Sequence, residues 1–440
     1  MSSAFILLSF FVVIVLMIVM VSKYKIHAVV SLLLCTILLG LLIGTPVQLI
    51  PKTINKGFGD TCASVALIIF LGSLLGEVLG ETGAAVRITN TFIKVFGEKN
   101  VLWAVGASAL LLGIPIFPDT ISLFLIPICS NLAVKTGISM AAFAATVNVG
   151  VTSSSLVPPT PGPVAAAALL GISLGEVIPW GILVSIPGLI ATVFFAKTRN
   201  AKIEPKAEFL GAQNMPDNLL PSFSKSVAPI LVPVVLIVGN TVFSTIMPKT
   251  TIDNVFRFIG EPLAALIIGV FCAILLQVKD WRHKKEVRST WIDKALLGGV
   301  GPIFITALGG SLAAFIKGAG VANIIAKAVV GANIPGVFVP MVIAILIRII
   351  TGSNTLALST TAALVGPMLE PLGVTKLAAF LAMASGGIIF SHANSSGLWL
   401  TSGMANLDFN EALKSIGGST FVSGTACCIM TLFLYFLGVI

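Results

Sequence analysis

Apolar runs alternate with short polar stretches along the whole chain. Each run has 17 or more residues, which is enough to cross the ~30 Å hydrocarbon core of a bilayer as a helix. The first run has no basic region before it and no small-residue cleavage site after it, so it is predicted to be a retained span and not a signal peptide. Clear spans are predicted near residues 4–21, 28–45, 62–80, 101–117, 177–196, 227–247, 262–278, 295–316, 334–350, 376–392 and 418–439.

Two further stretches, 118–170 and 351–372, are apolar but interrupted by Pro, Gly, Ser and Asn. Non-helical backbone at membrane depth is tolerated only where it is buried in protein or lines a water-filled cavity. We therefore predict an all-α polytopic membrane protein with about 12 transmembrane helices, in which these two stretches form broken or re-entrant helices. The same stretches are predicted to form the functional part of the protein.

The two halves of the chain resemble each other. The segment LGSLLGEVLGETGAA at 71–85 matches LGGSLAAFIKGAGVA at 308–322, an offset of about 237 residues. The same offset brings the Pro/Asp break at 113–119 close to TGSNT at 351–355, and TSSS at 152–155 close to SHANS at 391–395. Paired breaks in two homologous halves are typical of secondary transporters with inverted repeats, whose site lies near the bilayer midplane.

A basic polar segment divides these halves. We predict a first transmembrane repeat at 1–197, a polar cytoplasmic linker at 198–226 and a second transmembrane repeat at 227–440. The linker is placed on the cytoplasmic side because its Lys and Arg residues follow the positive-inside rule.

Composition supports the membrane assignment and excludes other classes. The chain is 57% hydrophobic and 10% charged, whereas a soluble domain is about 25% charged. The net charge of +9 comes from loops between the spans, as the positive-inside rule expects of a membrane protein, so nucleic-acid binding is not expected. The six cysteines lie in or beside apolar runs without CxxC or metal-ligand spacing. We expect neither a metal nor a cofactor.

Three ionisable residues in or beside apolar runs are candidates for proton coupling. Intramembrane carboxylates are expensive and usually functional, which makes Asp119 in GIPIFPD and Glu77 in LLGEVLGETG candidates. His392 belongs to the polar cluster SHANSSG, at the position that corresponds to the TSSS cluster of the first half. Each also has a structural alternative: an aqueous edge for the carboxylates, and a satisfied core histidine.

Polar residues at the breaks are candidates for substrate binding. Ser, Thr and Asn are good helix N-caps, and the N-terminus of a half-helix attracts anions. Arg348 could meet a substrate anion, or it could snorkel to an interface. The predicted substrate-binding residues are Ser153, Ser154, Ser155, Thr160, Arg348, Gly352, Ser353, Asn354, Thr355, Asn394, Ser395 and Ser396.

At these motifs the sequence resembles the gluconate permease family, which includes gluconate, idonate and D-serine permeases. The resemblance covers nearly the whole chain and rests on GIPIFPD, LVPPTPGPVAA, the Arg348 to Thr355 stretch and SHANSSGLW. It implies proton symport of a small hydroxylated carboxylate by a multi-pass protein of the bacterial inner membrane. The larger group of ion-coupled transporters implies inverted repeats with re-entrant hairpins and a homodimer.

The chain departs from the family pattern at three polar positions. Ser154 stands where a His is usual, Ser395 where an Asp is common, and Thr351 where a Gln is common. The expected partners are therefore a proton, the lipid bilayer, and gluconate or a similar small hydroxy or amino carboxylate. The alternatives are a sodium-coupled symporter or exchanger of a small organic anion, a channel, and an intramembrane Ser/His hydrolase, which would need a serine within reach of His392 and an oxyanion hole.

Overall fold

A computed structural model describes residues 3–199, 202–210, 219–279, 281–318, 335–392 and 395–440. All the regular secondary structure in these ranges is helical. The first half contains α1 Ser3–Ser22, α2 Ala28–Leu42, α3 Ile50–Glu81, α4 Ala84–Phe96, α5 Val101–Leu112, α6 Pro118–Thr136, α7 Met140–Val147, α8 Val149–Leu156, α9 Pro161–Leu170 and α10 Leu174–Lys197.

The second half follows a similar order of elements. It contains α11 Phe223–Ile246, α12 Thr251–Ile259, α13 Pro262–Gln277, α14 Trp291–Gly318, α15 Phe338–Thr351, α16 Asn354–Val365, α17 Leu369–Leu372, α18 Lys376–Gly386, α19 Ser396–Met404, α20 Phe409–Ala412 and α21 Gly418–Phe436. The starts of α5, α6 and α7 precede those of α15, α16 and α18 by 237, 236 and 236 residues. This spacing fits the predicted duplication, and the inverted relation of the two repeats stays a prediction.

The all-helical membrane architecture is confirmed. By length and composition, six helical segments in the described part of the chain could cross a membrane, or eight if each bent pair counts as one span. The six are Val47–Glu81, Met140–Leu170, Leu174–Lys197, Phe223–Ile246, Glu286–Ile316 and Phe409–Phe436. Shorter apolar helices, including α2 and α18, are additional to these.

Three helices of nine or more residues, α4, α12 and α19, lie outside the spans and stretches predicted from the apolar pattern. Both α4 and α12 carry charged residues, among them Arg87 in α4 and Arg257 in α12. Each forms a sharp bend with the helix that follows it, 114° for α4 and 68° for α12. Another difference concerns α3, which begins twelve residues before the predicted span at 62–80 because the polar stretch preceding that span is also helical.

Helices α3 and α14 pack closely against each other and join the two halves. A Cβ atom on Gly57 would lie 2.7 Å from the Cα atom of Ser311, and one on Gly310 would lie 1.9 Å from Oγ1 of Thr61. Neither position has room for a side chain. The hydroxyl of Ser311 also donates a hydrogen bond to the carbonyl of Ile54 at 2.8 Å.

Four shorter helices, α6, α9, α16 and α19, form two parallel pairs. The pair α9 and α16 starts together, because a Cβ on Gly162 would lie 3.7 Å from the Cα of Thr355. It also ends together, because a Cβ on Gly366 would lie 3.4 Å from the carbonyl oxygen of Leu169. In the pair α6 and α19, Ser396 at the start of α19 donates to Asp119 at the start of α6 at 3.4 Å. Further along both helices, the hydroxyls of Ser122 and Thr401 lie 2.8 Å apart.

The two pairs end at opposite ends of the helix bundle. The end of α9 lies where α10 begins, and Lys376 donates a hydrogen bond to the carbonyl of Gly171 there at 2.8 Å. The chain just after α19 lies beyond the other end of α10, where the amide of Asn406 donates to the carbonyl of Glu204 at 3.2 Å. Each of these four helices therefore runs from the middle of the bundle outward, and all four N-termini point inward.

Candidate functional site

A cavity of about 520 Å³ lies where the four N-termini meet. Each helix contributes residues of its first turn or its N-cap: Asp119 from α6, Thr160 from α9, Thr355 from α16 and Ser395 from α19. Because each helix N-terminus carries a partial positive charge and unpaired N–H groups, their convergence favours an anion. The volume falls within the ~300–1,000 Å³ of ordinary small-molecule sites.

The N-terminus of α6 brings a carboxylate to this cavity. The chain turns at 113–117, and α6 then begins at Pro118, whose fixed φ and missing N–H suit the first helical position. Asp119 follows at once and accepts a hydrogen bond from the hydroxyl of Ser396 on α19 at 3.4 Å. A Cβ atom on Gly397 would lie 2.9 Å from Oδ1 of the same carboxylate. The tight approach of α19 therefore fixes the position of Asp119.

Arg348 supplies the opposite charge from the last turn of α15. Its side chain is buried, donates to the hydroxyl of Ser391 at 2.8 Å, and donates to the carbonyl of Gly352. Its Nε has no hydrogen-bond partner among the described residues. Among the described residues that line the cavity, Arg348 and Asp119 carry the charges, and the two groups attract each other. A buried guanidinium of this kind is costly unless an anion or dipole compensates it.

The turn between α15 and α16 depends on local sequence. Gly352 has φ +71°, the left-handed conformation that ends α15 without strain. Ser353 then caps α16, and its hydroxyl accepts a hydrogen bond from the N–H of Leu356 at 3.3 Å. The remaining N–H groups of the first turn of α16, those of Asn354 and Thr355, have no partner within the helix. They are available to a ligand beside Arg348.

Asn354, the first residue of α16, connects the hairpin formed by α15 and α16 to the first half of the chain. Its amide nitrogen donates a hydrogen bond to Oγ of Ser155 at 2.8 Å. Its amide oxygen is buried without a hydrogen-bond partner in the described part of the structure. The residue lines the cavity, so the amide is both a structural bridge and an available polar group.

The loop from α8 to α9 forms the remaining polar wall. Ser154 and Thr160 both line the cavity, and the hydroxyl of Thr160 donates to the carbonyl of Ser154 at 2.6 Å. Helix α9 begins with Pro161, Gly162 and Pro163. Because proline has no N–H, only Gly162 offers a backbone donor at the start of this helix.

Nine of the predicted substrate-binding residues line the cavity. They are Ser154, Thr160, Arg348, Gly352, Ser353, Asn354, Thr355, Ser395 and Ser396, and Asp119 joins them as a predicted coupling residue. Ser153 and Ser155 do not belong to its lining: their hydroxyls donate to the carbonyls of Gly150 and Val151 within α8. Asn394 lies outside the described residues.

The other two predicted coupling residues lie beside the cavity. The Nε2 of His392 hydrogen-bonds the carbonyl of Ile349, and His392 does not belong to the cavity lining. Glu77 lines a smaller space of about 90 Å³ that shares Phe117 with the main cavity. Its carboxylate pairs with Nζ of Lys294 at 2.9 Å, and Lys294 also pairs with Glu81 at 2.5 Å.

Several polar lining residues were missed by the sequence analysis. Asn148 had a usable signal, a single amide within an apolar run, and it donates to the hydroxyl of Ser419 at 3.1 Å. Thr401 had no usable signal, because it lies next to Ser402 inside α19 and neither a proline nor a charge marks it. The cavity lining also includes Thr351 and Ser391, which the sequence analysis noted without assigning them to the site.

Comparison with known proteins gives a consistent result over the whole chain. The model of the GntP permease family matches residues 5–437. A gluconate permease of Pseudomonas aeruginosa is 31% identical over 425 residues, covering 94% of this chain and 93% of the relative. An L-idonate transporter of the Gnt-II system of Escherichia coli is 30% identical, covering 91% and 92%. A high-affinity gluconate transporter of Escherichia coli is 29% identical, covering 91% and 93%.

A solved structure has a similar fold. The YdaH transporter of Alcanivorax borkumensis, described as having an unusual topology, superposes with a TM-score of 0.71. The match covers 93% of this chain and 98% of that one at 15% sequence identity. This likeness concerns the fold alone.

Proposed function

Since this chain belongs to the GntP family of permeases, we propose that it is a secondary transporter for gluconate or a similar small hydroxy or amino carboxylate, coupled to protons. The observation that carries the proposal is the cavity in which four helix N-termini and the buried Arg348 surround one space. As a permease it is a transporter and not an enzyme, which makes the hydrolase alternative wrong. The proposal includes the bacterial inner membrane as its location and a homodimer as its assembly.

The substrate carboxylate binds beside Arg348. Arg348 and the first-turn residues Asn354 and Thr355 line the same cavity, and guanidinium and backbone N–H groups are donors that a carboxylate accepts from. The hydroxyls of Ser154, Thr160 and Ser395 then read the hydroxyl or amino groups of the substrate. A site built from hydroxyls discriminates strongly against analogues that lack a matching group, because its own polar atoms would be left unpaired.

Asp119 is the proposed proton carrier. It lines the cavity, it is attracted by the charge of Arg348, and among the described residues its carboxylate accepts a side-chain hydrogen bond from Ser396. Glu77 is a weaker candidate because Lys294 already compensates its charge. His392 is weaker because its Nε2 is engaged by a backbone carbonyl.

Alternating access follows from the directions of the hairpins. The hairpin α5–α6 enters from one end of the bundle and α15–α16 enters from the other, and both tips border the cavity. Moving one tip away from the site would open one end, and moving the other would open the opposite end. Transporters with paired broken helices work in this way.

A sodium-coupled symporter or exchanger is the second candidate. The buried amide oxygen of Asn354 has no described hydrogen-bond partner, and amide and hydroxyl oxygens suit hard cations. The two candidates differ in the coupling ion, so an experiment that identifies this ion distinguishes them.

The test is uptake of labelled gluconate into proteoliposomes that contain the purified full-length protein. We expect accumulation above equilibrium with an inward proton gradient, abolished by an uncoupler and competed by other sugar acids. Protein-free vesicles are the control. Accumulation that needs a sodium gradient, and not a proton gradient, would establish the second candidate. Folded protein that transports neither gluconate nor other small hydroxy or amino acids under either gradient would refute the proposal.

A further inference from the structure

A second cavity lies at the end of the bundle where α5 and α7 begin and where α6 and α10 end. Its volume is about 780 Å³, larger than that of the proposed transport site. Its residues come from the helix ends and from the chain that follows α10. It therefore lies at one end of the apolar helices, and it shares no lining residue with the proposed transport site.

The cavity is strongly basic. Four cationic residues line it, Lys99, Lys197, Arg199 and Lys202, together with one acidic residue, Glu204. Among the residues that the structure describes, none of these four cations forms an ion pair. Uncompensated cations gathered in one concave site attract an anion.

Aromatic rings position two of the cations. The ammonium of Lys197 lies 5.8 Å from the ring centroid of Trp103 and 5.5 Å from that of Phe194. The guanidinium of Arg199 lies 5.1 Å from the ring of Phe195, and its Nε is buried without a described hydrogen-bond partner. Buried N–H donors nearly always have a hydrogen-bond partner. This one therefore indicates independently that a ligand supplies the acceptor.

The rest of the wall is apolar and partly open to the surroundings of the helix bundle. It includes Leu102, Ile138 and Val134, and Val134 is 64% exposed. A soluble phosphate ion would leave this surface unused. A molecule with an anionic head and an apolar tail would contact both parts, and basic pockets at the ends of transmembrane helices suit such lipids.

We propose that this cavity binds an anionic phospholipid of the adjacent leaflet, with its phosphate among Lys197, Arg199 and Lys202 and its acyl chain along Val134. The sequence places these basic residues on the cytoplasmic side, where anionic lipids are available to them. A lipid bound there would contact both the end of α10 and the start of α5. Helix α5 leads to the turn at 113–117, which precedes Asp119.

The test uses the tryptophan at the rim of the cavity. The full-length protein is reconstituted in phosphatidylcholine vesicles and titrated with brominated phosphatidylglycerol or, separately, with brominated phosphatidylcholine. The contribution of Trp103 is obtained by subtracting the emission of the Trp103→Phe variant. We expect the brominated anionic lipid to quench Trp103 at a mole fraction at least about tenfold lower, because each basic group contributes about fivefold to binding at an anionic surface.

A triple variant and a matched control separate the site from general surface charge. The variant K197Q/R199Q/K202Q should lose the preference for phosphatidylglycerol. The variant R282Q/K284Q/K285Q, which removes three exposed charges from another loop, should keep it. Equal quenching of the wild-type protein by the two lipids would overturn the proposal without any variant, and so would an equal loss in both triple variants.

Discussion

The two hairpins of this protein share a plan but differ in charge. In each, a helix runs to the middle of the bundle, the chain turns, and a second helix starts at the cavity. The first hairpin turns through 113–117 and places Asp119 just after the turn, whereas the second turns at Gly352 and Ser353 and places Arg348 just before it. The two hairpins have the same order of elements, and their charges are opposite.

Under the proposed function, this difference gives the two hairpins separate tasks. With identical charges at both tips, the cavity would bind either two anions or two cations. With one guanidinium and one carboxylate, it can bind a substrate carboxylate on one side and a proton on the other. Changing each charge separately should therefore affect binding and coupling separately.

The largest effect is expected from Arg348→Gln. Losing one member of a buried charge interaction costs about 2–5 kcal/mol, so the Kd for substrate should rise by about 30-fold or more. Arg348→Lys keeps the charge but not the planar arrangement of donors, and it should give an intermediate Kd. Binding is measured by calorimetry on purified protein whose Tm is recorded in parallel. A wild-type Kd in folded Arg348→Gln would show that the second hairpin does not read the carboxylate.

Asp119→Asn should change coupling more than binding. The variant cannot carry the proton, so accumulation against a gradient is lost while counterflow exchange of labelled and unlabelled substrate continues. Glu77→Gln is the matched control, because it also replaces a carboxylate by an amide near the cavity but at a group paired with Lys294. Accumulation should persist in Glu77→Gln. If Glu77→Gln abolished accumulation and Asp119→Asn retained it, the coupling residue would be Glu77 on α3 and not Asp119.

The smallest effect is expected from Gly397→Ala. The added Cβ would lie 2.9 Å from Oδ1 of Asp119, so the carboxylate or α19 must shift by a few tenths of an ångström. A several-fold slower proton-driven uptake should follow, with little change in Kd. Gly403→Ala on the same helix meets no atom within 4 Å and should transport like the wild type. If the two variants behave alike, the tight contact between α19 and Asp119 has no role in coupling.

Local sequence predicted the breaks of this fold well. Pro118, Pro161 and Gly352 each act on their own backbone, through a fixed φ, a missing N–H or a left-handed turn. The interrupted stretches 118–170 and 351–372 accordingly contain α6, α9 and α16, three of the four helices whose N-termini meet at the cavity, whereas α19 lies outside both stretches. The helices α4 and α12 were missed because their apolar content is interrupted by charge.

The exact members of the site were harder to predict. Successive residues of a helix point about 100° apart, so of three adjacent serines on α8 only Ser154 lines the cavity. The contact between Ser122 and Thr401 joins residues 279 positions apart, and nothing in either local sequence indicates it. Long-range pairings of this kind depend on how the two hairpins pack, which the apolar pattern does not specify.

The opposite charges of Asp119 and Arg348 also bear on the energetics of the transport cycle. Together they make the empty cavity neutral, and adding one monocarboxylate and one proton keeps it neutral. Moving one elementary charge through the membrane field involves about 2.3 kcal/mol per 100 mV. Neither the empty nor the loaded carrier would move a net charge, so the voltage would not act on either step. A carrier of this kind would be electroneutral, with the pH difference and not the voltage setting the accumulation ratio, at about tenfold per pH unit.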